Sequence, residues 1–299
     1  MRLRPAFGPI LLYLVGIAIF CAMDAVMKQL VLTNPIVMAT FWRYVMAVFF
    51  TFGFWVQAGR PAITRAMLPI HLLRGVIIAL SAFLFFWALR ELPLAQVVTI
   101  AFIAPLMVPP LASLILKERI QRGNIVAGLV GFAGVLVAVG FDPSGQTPRL
   151  LLGVGAVLVS AATYALSVVL IRMRAARDGP AVVSLLGAGI PALVLLPFML
   201  AVVSPAQLLP RGVDWAWVLL AGLFGAVALQ LLARAYARAE AQVLAPFEYS
   251  ALFWAALFGW LFFAEPVSLR TWAGAAIIAG ACLWQARRNA TAAPPSPAA

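Results

Sequence analysis

Charge is the scarcest thing in this sequence. Asp, Glu, Lys and Arg make up 10% of its 299 residues, where an ordinary soluble domain carries about 25%. So little charge excludes a water-facing globular surface, a disordered chain and a coiled coil. Cysteine is nearly missing too. Cys21 and Cys282 both fall in apolar segments, which excludes a disulfide framework and a cysteine metal cluster. Histidine occurs once, as His71, too few for most metal sites. No HExxH, GxSxG or Walker sequence is present. Neither an intramembrane enzyme nor an ATP-driven pump is therefore expected, and no cofactor or metal.

Acid is scarcer than base, which leaves a net charge of +12. The excess sits in short clusters between apolar segments, not on one stripe, and no polar segment is long enough to fold into a binding module. Nucleic acid is not an expected partner; the lipid bilayer is.

What is abundant is hydrocarbon. Apolar residues make up 65% of the chain and the mean hydropathy is +1.06. A spanning helix needs about 20 apolar residues. Such segments fall at 9–32, 35–57, 68–90, 94–116, 122–141, 149–171, 180–203, 214–234, 241–264 and 268–286. Thr33-Asn34-Pro35, Gly59-Arg60-Pro61 and Asp142-Pro143-Ser144-Gly145 punctuate them. The first is too long for a signal peptide and contains Asp24 and Lys28, so it reads as a retained helix. Residues 287–299 read as a disordered tail, Ala/Pro/Ser-rich from Ala290 onward. The predicted class is an all-α membrane protein of ten helices.

The positive charges orient it. With a cytoplasmic N-terminus, 14 Lys and Arg fall on the cytoplasmic side and five on the other, with Arg43 and Arg74 left inside segments. That bias places both termini in the cytoplasm. The compact loops and Ala-rich composition suit a bacterial inner membrane.

The chain also repeats itself. Ala95-Gln96-Val97 recurs as Ala241-Gln242-Val243, 146 residues later, and AGLVGFAG at 127–134 recurs as AGAAIIAG at 273–280 with the same offset. Between them Glu118 matches Glu265 with one residue of slippage. Two five-helix repeats follow, 9–141 and 149–286. An odd helix count inverts the second copy, the design of secondary transporters that bind substrate between repeats and expose it to alternate sides.

The two repeats read FIAPLMVPPLASLILKERIQRGNIVAGLVGFAGVLVAVG and FEYSALFWAALFGWLFFAEPVSLRTWAGAAIIAGACLW, and FWRYVMA lies in the second segment. In these runs the chain resembles the drug/metabolite transporter superfamily, EamA type, over residues 9–288. The resemblance implies transport of a small polar or amphipathic metabolite, an amino acid or related compound, with export as the expected direction. Uptake or exchange of S-adenosylmethionine-like compounds is the alternative it implies.

Ionisable residues inside a membrane should face a cavity and find partners. Asp24 and Arg43 lie about 22 and 21 Å from the inner ends of the first two helices, so they match in depth. Lys28 follows Asp24 by one turn and pairs with it or snorkels to the outer interface. Arg74 and Glu248 lie about 9 and 10 Å from the inner end and would form an inner gate between the repeats. All of these would serve equally as static ion pairs. Trp42, Trp254, Tyr164, Phe102 and Tyr249 fall near mid-depth, either as cavity walls or as packing groups. The prolines at 105, 109 and 110 bend the fourth segment next to Thr99 and Phe102, either to border the site or simply to pack. The expected substrate cavity is thus Asp24, Lys28, Trp42, Arg43, Thr99, Phe102, Tyr164, Glu248, Tyr249 and Trp254, with Arg74 and Glu248 as the gate. Gly128, Gly131, Gly134, Gly274 and Gly280 suit close helix packing, within the chain or in a homodimer.

Overall fold

The computed structural model describes residues 7–116, 122–139, 148–172, 178–236, 247 and 250–292. They form helices and connecting turns, with no strand among the described residues. Hydrocarbon offers no water to a bare N–H or C=O, and a helix satisfies both within one segment. The helices are α1 (Phe7–Thr33), α2 (Ile36–Gln57), α3 (Leu68–Glu91), α4 (Leu94–Ala101), α5 (Ala104–Leu116), α6 (Arg122–Val139), α7 (Pro148–Arg172), α8 (Pro180–Val202), α9 (Asp214–Tyr236), α10 (Ser250–Phe263) and α11 (Leu269–Ala292). Seven apolar stretches are long enough to cross a membrane, counting α4 and α5 as one, and three shorter ones lie at Ile125–Ala138, Ser250–Phe263 and Leu269–Trp284.

Large side chains such as Phe49, Leu193, Trp260 and Phe262 are exposed on the outside of the bundle. In water such a surface would aggregate; against lipid it is the natural boundary. The protein is a multi-pass membrane protein.

Two segments differ from expectation. The fourth is not one kinked helix: it breaks between α4 and α5 at Phe102-Ile103. Pro105 supplies no N–H to the Ala101 carbonyl, and its ring crowds that carbonyl. The backbone tightens there, with Ile103 N–H donating to the Ile100 carbonyl at 3.1 Å and Leu106 N–H to the Ile103 carbonyl at 3.0 Å. The last helix runs on to Ala292, past the expected end at 286 and into the stretch read as tail. Residues 293–299 lie outside the described residues.

The bundle has two ends. Asn34 marks one, where the α3–α4 turn, the α8–α9 link and the α10–α11 link also lie; Arg60 marks the other, with Asp178 ahead of α8. The main packing partners are α1 with α9, α3 with α7, α6 with α11, α2 with α8, α2 with α9, α3 with α8, α1 with α10, α5 with α7 and α4 with α10. Met27, Leu30, Leu94, Ile100 and Ile278 are fully buried in the largest core.

Two glycines decide the α6–α11 contact. A methyl group on Gly274 would lie 2.7 Å from the Ala138 backbone nitrogen, and one on Gly134 would lie 3.0 Å from the Gly274 carbonyl oxygen. The helix backbones touch here, as small residues in membranes allow. Gly134 and Gly274 therefore serve packing within the chain, whereas Gly128 and Gly280 meet nothing within 4 Å.

Candidate functional site

Polar groups in this membrane protein gather at three levels. At the Asn34 end, α10 terminates with Ala264 at φ +52 and Glu265 N–H donating to the Gly259 carbonyl at 3.1 Å. That turn throws the Glu265 carboxylate across the bundle. One oxygen accepts the Leu94 N–H at 2.9 Å, at the positive end of α4. The other pairs with Lys28, which also donates to the Leu92 carbonyl at 2.9 Å and lies 5.2 Å from the Phe263 ring centroid. Lys28 is only 3% exposed. It neither pairs with Asp24 nor snorkels, because a partner 237 positions away reaches it inside the protein. Nearby, the Trp42 indole donates to the Leu208 carbonyl at 2.8 Å and packs edge-on against Trp215.

At mid-depth lie Asp24 and Arg43. The expected Asp24–Arg43 ion pair is not formed among the described residues. Arg43 instead donates from Nε and Nη2 to the Met23 Sδ, at 3.3 and 3.2 Å, and its guanidinium lies over the rings of Tyr44 and Phe86. Asp24 is 4% exposed. In the same layer Ser81 and Ser160 clasp α3 to α7: Ser81 Oγ donates to the Ser160 carbonyl at 3.0 Å and Ser160 Oγ to the Ser81 carbonyl at 2.8 Å.

At the Arg60 end, Arg74 Nε donates to Ser167 Oγ at 3.2 Å and His71 Nε2 meets Asp178 Oδ2 at 3.0 Å. Both contacts join α3 to the second half of the chain. Glu248, the expected partner of Arg74, and Tyr249 lie outside the described residues.

The remaining expected cavity residues do not converge. Thr99 is fully buried and its hydroxyl donates to the Ala95 carbonyl at 2.7 Å, so it offers no surface. Phe102 is buried at the α4–α5 break. Trp254 packs with Phe253 and Phe258 beside Tyr13 and Ile17, away from Trp42. Tyr164 is 52% exposed on α7. Trp42 and Trp254 thus belong to different packing clusters. Sequence reading missed Asp178 and Ser167, and it noted Glu265 only as the repeat counterpart of Glu118. A groove of about 450 Å³ also opens at the Asn34 end, lined by Gln96, Ser268, Arg270 and Thr271 among others.

The chain as a whole has relatives among known proteins. The profile of the EamA-like transporter family matches residues 7–140 and again 151–285. A riboflavin transporter of Brucella anthropi is 29% identical over 255 residues, covering 85% of this chain and 89% of that protein. The pseudopaline exporter CntI of Pseudomonas aeruginosa is 30% identical over 266 residues, covering 88% and 90%. A crystal structure 20% identical in sequence matches over 95% of this chain and 96% of its own, with a TM-score of 0.63, a likeness of fold. With a family match across both halves and these relatives along most of its length, the chain belongs to the EamA-like transporter family.

Proposed function

We propose that this chain is a secondary transporter of ten spans, built as two inverted five-helix repeats at 9–141 and 149–286, in a bacterial inner membrane with both termini cytoplasmic. It exports a small polar or amphipathic metabolite by alternating access. The observation that carries this reading is the pattern of helix pairs. Exchanging the halves turns α1, α2, α3, α4–α5 and α6 into α7, α8, α9, α10 and α11. The α1–α9 contact then becomes α7–α3, α2–α9 becomes α8–α3, and α1–α10 becomes α7 with α4–α5, all of which are present. The α2–α8, α6–α11 and α4–α10 contacts map onto themselves. Such exchange is what a pseudo-twofold between inverted repeats requires.

The polar ties suit the same cycle. The Asn34 end, read as periplasmic, is held by Lys28 and Glu265, and the Arg60 end, read as cytoplasmic, by Arg74 with Ser167 and His71 with Asp178. Each tie crosses between the halves, so each state is reached by breaking one set while the other holds. Arg74 is the centre of the inner gate. The export direction draws on the exporter among the relatives.

Counterflow in proteoliposomes tests this. Vesicles preloaded in turn with neutral, aromatic and acidic amino acids, amines and S-adenosylmethionine should show labelled uptake stimulated by one internal class. Flux without such stimulation would indicate a channel and overturn the carrier. For the gate, Ser184→Cys on α8 would report access from the cytoplasmic side in a Cys21→Ser, Cys282→Ser background. Adding His71→Gln and Arg74→Gln removes two polar contacts worth about 1 kcal/mol each, which shifts the balance between open states by about tenfold or more. Labelling by an impermeant maleimide should rise accordingly. Unchanged labelling and unchanged counterflow would remove the gate.

A further inference from the structure

We propose that Arg43 is the docking point for an oxyanion carried by the transported molecule, a carboxylate being the best fit. This rests on the transporter reading and adds the chemistry of its cargo. A guanidinium has five N–H donors and no use for a weak acceptor when an oxygen is within reach. Arg43 nonetheless spends Nε and Nη2 on the thioether of Met23, at 3.3 and 3.2 Å. Its Nη1 is buried and has no hydrogen-bond partner. The Tyr44 and Phe86 rings, 4.5 and 5.4 Å from Cζ, hold the charge by their faces but accept nothing in the guanidinium plane.

The other intramembrane cations differ. Lys28 has a carboxylate and a carbonyl, and Arg74 has a hydroxyl. Among the described residues Arg43 is the intramembrane cation whose hydrogen bonds reach no oxygen. A charge so placed raises the free energy of the empty site, and the ligand that relieves it is an anion. A carboxylate matches the planar fork with two parallel hydrogen bonds and can replace the thioether. Gly225 lets α9 approach this group closely: a methyl group on it would lie 3.5 Å from Nη2 and 3.1 Å from the Met23 sulfur. Asp24, buried nearby, forms no ion pair with Arg43 and so leaves the guanidinium donors unclaimed.

The test uses the purified full-length chain in lipid nanodiscs, with thermal unfolding as readout and phenylacetate, phenylacetamide and phenyl phosphate as probes. Phenylacetate at ten times its Kd should raise the melting temperature by about 3 °C, and neutral phenylacetamide should not. A larger shift with phenyl phosphate would assign the site to phosphate monoesters, still an oxyanion on Arg43. Arg43→Gln should abolish the shift and Arg43→Lys should reduce it. Met23→Leu removes the competing thioether and should keep or enlarge the shift, so the proposal stays falsifiable even where Arg43→Gln folds poorly. An equal response to the amide, a shift that survives in Arg43→Gln, a shift lost in Met23→Leu, or no response to either anion would each overturn it. Labelling of Ser184→Cys together with counterflow reports alternating access independently. A failed carboxylate site with intact alternation is therefore distinguishable from a failed transporter reading.

Discussion

Glu265→Ala is expected to destabilise the folded chain by about 3 kcal/mol, the cost of stranding a buried charge. The ammonium of Lys28 would keep only the Leu92 carbonyl, and the Leu94 N–H would lose its acceptor at the start of α4. The measurement is unfolding in nanodiscs across a double-mutant cycle. Combining Glu265→Ala with Lys28→Met removes both charges and should restore much of the loss, since no charge is then left stranded. Equal melting of Glu265→Ala and the parent chain would show that this tie is not a stability element.

The second large effect is steric. Gly274→Val would push two methyl groups toward the Gly134 carbonyl oxygen and the Ala138 backbone, where even one has no room. Overpacking of this kind costs about 1–3 kcal/mol, and here the obstacle is backbone, which cannot rotate aside. Lower yield of folded protein and a lower melting temperature are expected. Gly280→Leu on the same helix is the control. It meets nothing within 4 Å and should leave melting unchanged or slightly raised, leucine being the better helix former. Equal effects at both positions would remove the close contact between α6 and α11 as the cause.

Sequence reading carried far where the signal was local. Apolar runs marked most helices to within a few residues, because hydrocarbon leaves the backbone so few alternatives. It failed where partners meet across the fold. Lys28 was assigned to Asp24 by the i,i+4 rule, yet Glu265 takes it, and nothing in the one-dimensional chain joins residues 237 positions apart. Asp178 escaped notice because it follows a run of arginines in a link between segments, where only Lys and Arg are counted for orientation. The lone histidine was the available clue, since a buried imidazole needs a partner. Pro105 signalled a bend, but the two-residue interruption at Phe102-Ile103 depends on how α4 and α5 pack separately, which pattern alone does not contain.

The Ser81–Ser160 clasp has a mechanical consequence. It sits about 20 Å from the start of α3 and about 15 Å from its finish, between the ties at the two ends. Two hydroxyls bonded reciprocally to each other's carbonyls resist sliding of α3 along α7 but yield to tilting, because each bond tolerates a range of angles. In the proposed alternating-access cycle the pair would be a fulcrum with arms of about 20 and 15 Å. Tilting about it would convert a closing displacement at one mouth into an opening displacement at the other.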